Sequence, residues 1–260
     1  MYTGLRAAAA AAATLSSGLL IPLYINPVGG PDCSGWAPLL STITAHPAVP
    51  FWTIINPNSG PGDPNTQAGP EYQQCIPQLL DKPNVVVLGY VATFEADPSH
   101  QARVTTDIDT YNGWAVAYRP DGIFFDQVSG HTADFTAYQT FTSHASSLFS
   151  FVALNPGSAP QDIAYYSLAN LLLTAENFYD QFNPSQLSLN SSTPASKQAV
   201  VLHDGPSTPP TSLISQLITT DDIKAFYVTD DVQANNQNPY DMLPTDLESF
   251  VTAIEAAASA

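Results

Sequence analysis

Two carboxylates, Asp126 and Glu176, stand where apolar segments of the sequence give way to polar residues. Asp126 directly follows the apolar run at 123–125, and Glu176 follows the run at 171–173. A single acidic residue at such a place is most often a helix cap or a loop hydrogen-bond acceptor. Two together offer what cleavage of a glycosidic bond requires, a proton donor and a nucleophile or base. We therefore take Asp126 and Glu176 as candidate catalytic residues.

Other polar and aromatic side chains follow the remaining apolar runs. We expect the following of them to bind substrate: Tyr24, Asn56, Asn58, Tyr90, Gln127, Asn155, His203, Asp230 and Asp231. For Asp230 and Asp231, capping of the final loop is an equal alternative. His203 with Asp204 and Asp126 would offer metal ligands, but a lone histidine is more often a structural hydrogen-bonding residue. We predict neither a metal nor a cofactor, and no G-x-S-x-G motif suggests a serine nucleophile.

The elements that must position these residues are short apolar runs rich in β-forming residues. They lie at 19–25, 51–55, 85–91, 121–128, 151–154, 171–173, 199–202 and 225–228. Segments with helical spacing separate most of them, at 34–46 (capped by Ser34), 71–80, 100–117, 133–149, 211–220 and after a capping box at 245–248. The segments after the fifth and sixth runs are short and weakly helical. The three tryptophans are expected in the core.

This alternation predicts an α/β protein, a single (β/α)8 TIM barrel over residues 19–260. The alternative, an open doubly wound sheet, usually carries a glycine-rich phosphate loop after its first strand. Residues 26–31 match neither phosphate-binding pattern. In a barrel the C-terminal strand ends share one face, so strands four and six would bring Asp126 and Glu176 to the same mouth.

The N-terminus and the cysteines bear on the compartment. Residues 1–18 form an alanine-rich leader that half-resembles a signal peptide, and a helical or flexible leader fits equally well. Cys33 and Cys75 are the only cysteines, and we expect them to form one intramolecular disulfide, with two buried thiols as the alternative. A glycosylation sequon lies at Asn190. We predict an extracellular or cell-surface protein without membrane insertion, because no apolar run reaches the length of a transmembrane helix.

The charge balance restricts the partners. The chain has 23 acidic and 6 basic residues, for a formal net charge of −17. Phosphate backbones bind Lys and Arg, so nucleic acid is an unsuitable partner. The acidity fits a cationic partner, although solubility alone explains it equally simply.

Several segments resemble one protein family. They are the sequence blocks at 20–24, 51–62, 87–91, 121–126, 154–157 and 174–176, and the second of them contains Ile-Ile-Asn-Pro-Asn-Ser-Gly-Pro-Gly at 54–62. In this order they resemble the spherulin-4 (spherulation-specific) family from about residue 19 to 231. The resemblance implies a (β/α)8 barrel of fungi, slime moulds and bacteria, usually extracellular or at the cell surface. It also implies glycoside hydrolysis of galactosaminogalactan, with internal cleavage of α-1,4-linked N-acetylgalactosamine.

The family's acidic residues are an Asp-Glu pair ending strand four and a Glu after strand six. The resemblance places the Asp on Asp126 and the later Glu on Glu176, whereas the middle position is Gln127. Glutamine can neither donate a catalytic proton nor act as a base. Alternation along a strand would point Asp126 and Gln127 to opposite sides, unless the strand has already ended.

Two functions from different classes follow. One is a monomeric endo-acting glycosidase acting on a polysaccharide, a cationic amino-sugar polymer among the candidates. Asp126 would be nucleophile or stabiliser and Glu176 the general acid/base, or Asp126 would orient an acetamido group that itself attacks. The other is a catalytically silent surface or wall protein that binds carbohydrate, with Gln127 as the cause.

Overall fold

The computed structural model describes residues 14–28, 30, 33–234 and 237–260. Eight parallel strands hydrogen-bond in sequence order, and the eighth returns to the first, so the sheet is a closed barrel. The strands are β1 Gly18–Leu23, β2 Phe51–Ile55, β3 Val85–Ala92, β4 Gly122–Asp126, β5 Phe151–Leu154, β6 Leu171–Phe178, β7 Gln198–His203 and β8 Ala225–Val228. The predicted (β/α)8 barrel is confirmed.

Helices cover the outside of the barrel. They are α1 Ala37–Ala45, α2 Pro70–Leu80, α3 Gln101–Asn112, α4 Phe135–Leu148, α5 Thr211–Ser215 and α6 Leu247–Ala258. After β5 and β6 the chain forms only short 3-10 turns, such as Ile163–Ser167 and Tyr179–Gln181. The two weak segments of the sequence are therefore not α-helices.

Both predicted helix caps are wrong. Trp36, and not Ser34, precedes the first residue of α1, because Pro38 suits the first turn of a helix that begins at Ala37. Asp246, and not Thr245, caps α6, since its carboxylate accepts from the backbone N–H of Ser249. Because the cap lies one residue later than predicted, the expected capping box between Thr245 and Glu248 does not form.

The strands form where runs of apolar residues can be buried on both faces. All residues of β1, β2 and β8 are buried, because one face contacts the barrel interior and the other the helices. Trp36, Trp52 and Trp114 lie in this core, as expected. Continuous burial explains why these strands lack the alternating pattern of a half-exposed sheet.

Two links fasten the start of the barrel. Cys33, after β1, and Cys75, in α2, form a disulfide, so the free-thiol alternative is wrong. At the end of α1, the buried His46 ring contacts Glu248 and Glu255 of α6, each at 2.9 Å. The first and last helices are thus joined by an ionic contact as well as by packing.

The leader prediction concerns residues 1–18, of which residues 1–13 lie outside the described part of the chain, and it stays a prediction. Within the described ranges, no helix combines the length and apolarity needed to cross a membrane.

Candidate active site

Three neighbouring strands bring the central polar residues together. Asp126 is the last residue of β4, and Asn155 follows β5 directly. Glu176 was expected at the end of strand six, but it lies inside β6, which continues to Phe178. The pairing of β6 with β7 shifts register between Leu173 and Ala175, so the strand resumes and continues to Phe178 beyond the apolar run. The carboxylate of Glu176 is therefore held by a strand on both sides of it, and not at a strand end.

The Asn155 amide joins the two carboxylates. Its Nδ2 donates to Asp126 Oδ1 at 2.7 Å and to Glu176 Oε2 at 2.8 Å. The amide orientation is fixed, because Asn155 Oδ1 accepts from the backbone N–H of Gly157 at 2.9 Å. With one nitrogen bonded to both, the two oxygens lie at most about 5.5 Å apart. Sequence positions fifty residues apart therefore form one site.

Two tyrosines donate hydrogen bonds to the carboxylate oxygens that the Asn155 amide leaves free. Tyr90 donates to Asp126 Oδ2 and Tyr240 donates to Glu176 Oε1, each at 2.7 Å. Tyr24 packs edge-on against both rings, with centroid distances of 5.6 and 5.9 Å. Each carboxylate thus accepts one phenolic and one amide hydrogen bond, and the tyrosines limit its rotation.

Burial raises the pKa of Glu176 and of the three tyrosines around the carboxylate pair. Burial raises the pKa of the Glu176 carboxyl, and the Asp126 charge adds to the effect, whereas hydrogen bonds from Asn155 and Tyr240 oppose it. Burial, and then the Asp126 charge, raises the pKa of Tyr24 well above its ordinary value. Burial also raises the pKa of Tyr90 and Tyr240, so these hydroxyls remain donors. A carboxyl with a raised pKa is suited to donate a proton.

Gln127 stands just beyond the end of β4 in the left-handed region, with φ +54°. The expected alternation with Asp126 does not apply, because the strand has ended. Its backbone oxygen accepts from the N–H of Glu95 at 2.9 Å. The Gln127 side chain is exposed, and the residue lines the same cavity as Asp126.

A cavity of about 640 Å³ opens over the pair. Its lining includes Glu95, Asp126, Gln127, Asn155 and Glu176 and contains no Lys or Arg among the described residues. Two smaller cavities, of about 210 and 280 Å³, share Glu176 with it. Glu176 therefore lines all three cavities. The volume of about 640 Å³ suits a small molecule or an oligosaccharide unit.

Several residues expected at the site serve the loops instead. Asn56 accepts from the backbone N–H of Gly60, which shapes the loop after β2. Asn58 lines a separate cavity beside α3, together with Arg103 and Asp107. The structure does not bring Asn58 to the carboxylate pair, because the turn after β2 carries it away.

Of the residues expected after β7 and β8, one lines a cavity and two stabilise loops. His203 Nδ1 contacts Asp204 Oδ2 at 2.6 Å, and the ring lines the 280 Å³ cavity with Tyr240. Asp230 accepts from the backbone N–H of Thr245, and Asp231 accepts from that of Val232. Loop capping is thus what the geometry of Asp230 and Asp231 favours. In the described ranges, no three His, Cys, Asp or Glu side chains converge as a metal site.

The sequence reasoning missed Glu95 and Tyr240. Glu95 lies three residues beyond the end of β3, so a wider window after each strand would have found it. Tyr240 comes from the long loop after β8, far from any strand end, and no sequence signal pointed to it. The Asn190 sequon is exposed, and its side chain accepts from the backbone N–H of Ser192.

Comparison with solved structures agrees with the barrel fold. Sph3 from Aspergillus clavatus, solved in complex with GalNAc, is 25% identical, with a TM-score of 0.77 over 92% of this chain and 98% of that chain. A trimodular GH5_4 endoglucanase shares the barrel fold, with a TM-score of 0.52, 10% identity and coverage of 94% and 60%. Among curated proteins, no match was found.

The closed barrel and the hydrogen-bonded carboxylate pair at its mouth define a carbohydrate-active (β/α)8-barrel protein. The sequence profile of spherulation-specific family 4 matches residues 18–254, nearly the whole chain. The chain belongs to this family.

Proposed function

We propose that the protein is a glycoside hydrolase that cleaves internal bonds of an N-acetylgalactosamine-containing polysaccharide, in the manner of an endo-α-1,4-N-acetylgalactosaminidase. The observation that carries the proposal is the pairing of Asp126 and Glu176 through one amide at the mouth of the barrel. The similarity to Sph3, whose structure holds GalNAc, supports the choice of sugar.

Glu176 is the general acid, because burial raises the pKa of its carboxyl and so favours the form that carries a proton. Asp126 is the nucleophile or the stabiliser of positive charge on the sugar ring. Retaining glycosidases hold their carboxyl groups about 5–5.5 Å apart, and inverting ones about 6.5–9.5 Å. The separation of at most about 5.5 Å between the bridged oxygens favours retention. If the substrate's acetamido group attacks instead, Asp126 orients that group.

Internal cleavage is supported by the shape of the surface around Glu176. The 640 Å³ cavity extends from Glu176 past Asp126 toward His131, and the 280 Å³ cavity extends toward His203 and Phe178. A polymer lying across the mouth would have sugar units on both sides of the cleaved bond. A cationic amino-sugar polymer would also suit a chain with a net charge of −17.

Oligosaccharide release from the polymer tests these roles. Asp126→Asn and Glu176→Gln should each lower release by at least about 100-fold, because each removes a group that acts in the transition state. Asp81→Asn is the matched control, since it removes an exposed acid that follows α2 at the other end of the barrel. Equal release by all four proteins would exclude the proposed roles.

A catalytically silent carbohydrate-binding protein is the second candidate, favoured by the exposed Gln127 in the cavity. The informative variant is Gln127→Glu. Activity that appears only in this variant would support the binding protein, whereas activity of the wild type would exclude it.

An extracellular or cell-surface location is part of the proposal. The Cys33–Cys75 disulfide supports it, because such bonds persist mainly in oxidising compartments. Glycosylation at Asn190 is expected under the same conditions, and mass spectrometry of the secreted protein would detect it.

A further inference from the structure

A left-handed turn places an acidic side chain in the large cavity. Phe94, Glu95 and Ala96 follow β3 with φ values of +51°, +52° and +64°. Residues other than glycine rarely adopt this conformation, because Cβ approaches the following carbonyl oxygen. Three in succession persist only where the surroundings determine them, and such strained segments cluster at functional sites.

Contacts on both sides hold the turn. The Thr93 hydroxyl lies 2.8 Å from the backbone oxygens of Asp126 and Gln127, and the Glu95 N–H donates to Gln127. On the outer side the Phe94 ring stacks on His100, with centroids 4.2 Å apart. The turn is therefore fastened to the end of β4, next to Asp126.

The Glu95 carboxylate differs from the two at the centre of the site. Asp126 and Glu176 are each engaged by an amide and a tyrosine hydroxyl. The Glu95 side chain is exposed, and in the described part of the chain no hydrogen bond or ion pair engages its carboxylate. It lines the same cavity, in which no described Lys or Arg compensates its charge.

We propose that Glu95 binds the ammonium group of a hexosamine unit whose amine is not acetylated, and so sets a preference for partly de-acetylated polymer. An unengaged carboxylate in an anionic cavity attracts a cation and accepts its hydrogen bonds. An N-acetylated unit is neutral and gains nothing from this charge. The inference rests on the proposed function, because it assumes that a polysaccharide occupies the cavity.

The test compares two short oligosaccharides with the same α-1,4 linkage, one of galactosamine and one of N-acetylgalactosamine. Their affinities are measured by calorimetry in the Glu176→Gln background, which prevents cleavage. Adding Glu95→Gln should weaken binding of the galactosamine oligomer about three- to fivefold, as for an exposed ion pair. Binding of the N-acetylated oligomer should stay within about twofold.

Asp81→Asn is again the control for a lost negative charge, and it should change neither affinity. High salt should reduce the effect of Glu95→Gln, because it screens exposed charges. An equal effect on both oligomers, or none on either, would overturn the role of Glu95. Failure of the proposed function is seen separately, as absent release of oligosaccharide by the wild type, even where the charge-dependent difference in binding is present.

Discussion

Replacing Asn155 with alanine tests the geometry of the site most directly. The change removes the donor that binds Asp126 at 2.7 Å and Glu176 at 2.8 Å. Hydrogen bonds to charged groups contribute about 1.5–3 kcal/mol each. Because the cavity admits water to both carboxylates, we expect a loss of about 2–4 kcal/mol in the free energy of unfolding.

A loss of activity should accompany the loss of stability. Without the amide, the two oxygens lose the shared donor that limits their separation to about 5.5 Å, and only the tyrosine contacts still restrain the carboxylates. A misplacement of about 1 Å costs about 100-fold in rate, so kcat/KM should fall by that factor. The Asn155 hydrogen bond lowers the pKa of Glu176. Its loss should therefore raise that pKa and move the basic limb of the pH–rate profile to higher pH.

Asn84→Ala is a matched control at the opposite end of the barrel. Its Nδ2 donates to backbone oxygens, among them those of His46 at 3.1 Å and Val49 at 2.9 Å. Unfolding in urea measures stability, steady-state kinetics measures activity, and carbon-13 NMR follows the titration of Glu176 independently of turnover. If Asn155→Ala is as active as Asn84→Ala and the pKa of Glu176 does not move, the bridging role of Asn155 is refuted.

Three further outcomes are expected. Tyr240→Phe removes a hydrogen bond that lowers the pKa of Glu176, so the NMR titration of Glu176 should move to higher pH, and an unchanged curve would contradict the contact. Burial lowers the pKa of His46, but the hydrogen bonds that its ring donates to Glu255 and Glu248 outweigh this effect and raise the pKa above 6.5. The resulting stability is therefore complete below about pH 6.5 and is lost as the pH rises through the raised value. Unfolding in urea should show that the free energy of unfolding falls by under about 1 kcal/mol between pH 6 and pH 8.5, because the glutamates are exposed. In His46→Gln, the fall between the same two pH values should be smaller. Gln127→Gly should stabilise the fold by about 0.5–1 kcal/mol, since glycine relieves a φ of +54°, whereas Gln127→Ala should bring no such gain in thermal unfolding.

The barrel could be predicted because burial on both faces leaves continuous apolar runs in the sequence. The same rule placed Asp126, since β4 ends where its apolar run ends. It failed for β6, because the register shift after Leu173 lets a polar segment continue as a strand. A local pattern cannot report such an irregularity, which depends on pairing with β7.

The surroundings of the carboxylates were less predictable. Glu95 depends on a left-handed turn of three residues that carry no glycine, so the usual sequence mark of such a turn is missing. Tyr240 reaches Glu176 from a loop in which no periodic pattern fixes the backbone. Asn155 was expected to bind substrate, and only the three-dimensional arrangement shows that its amide is already occupied by two carboxylates.

The hydrogen bond from Tyr240 to Glu176 can form only late in the synthesis of the chain. Its partners are 64 residues apart, and the loop that carries Tyr240 follows β8, the strand that closes the barrel against β1. A nascent chain halted after β7 would hold Asp126, Asn155 and Glu176 but lack the last partner of Glu176. The site therefore reaches its final form only after β8 and Tyr240 have left the ribosome.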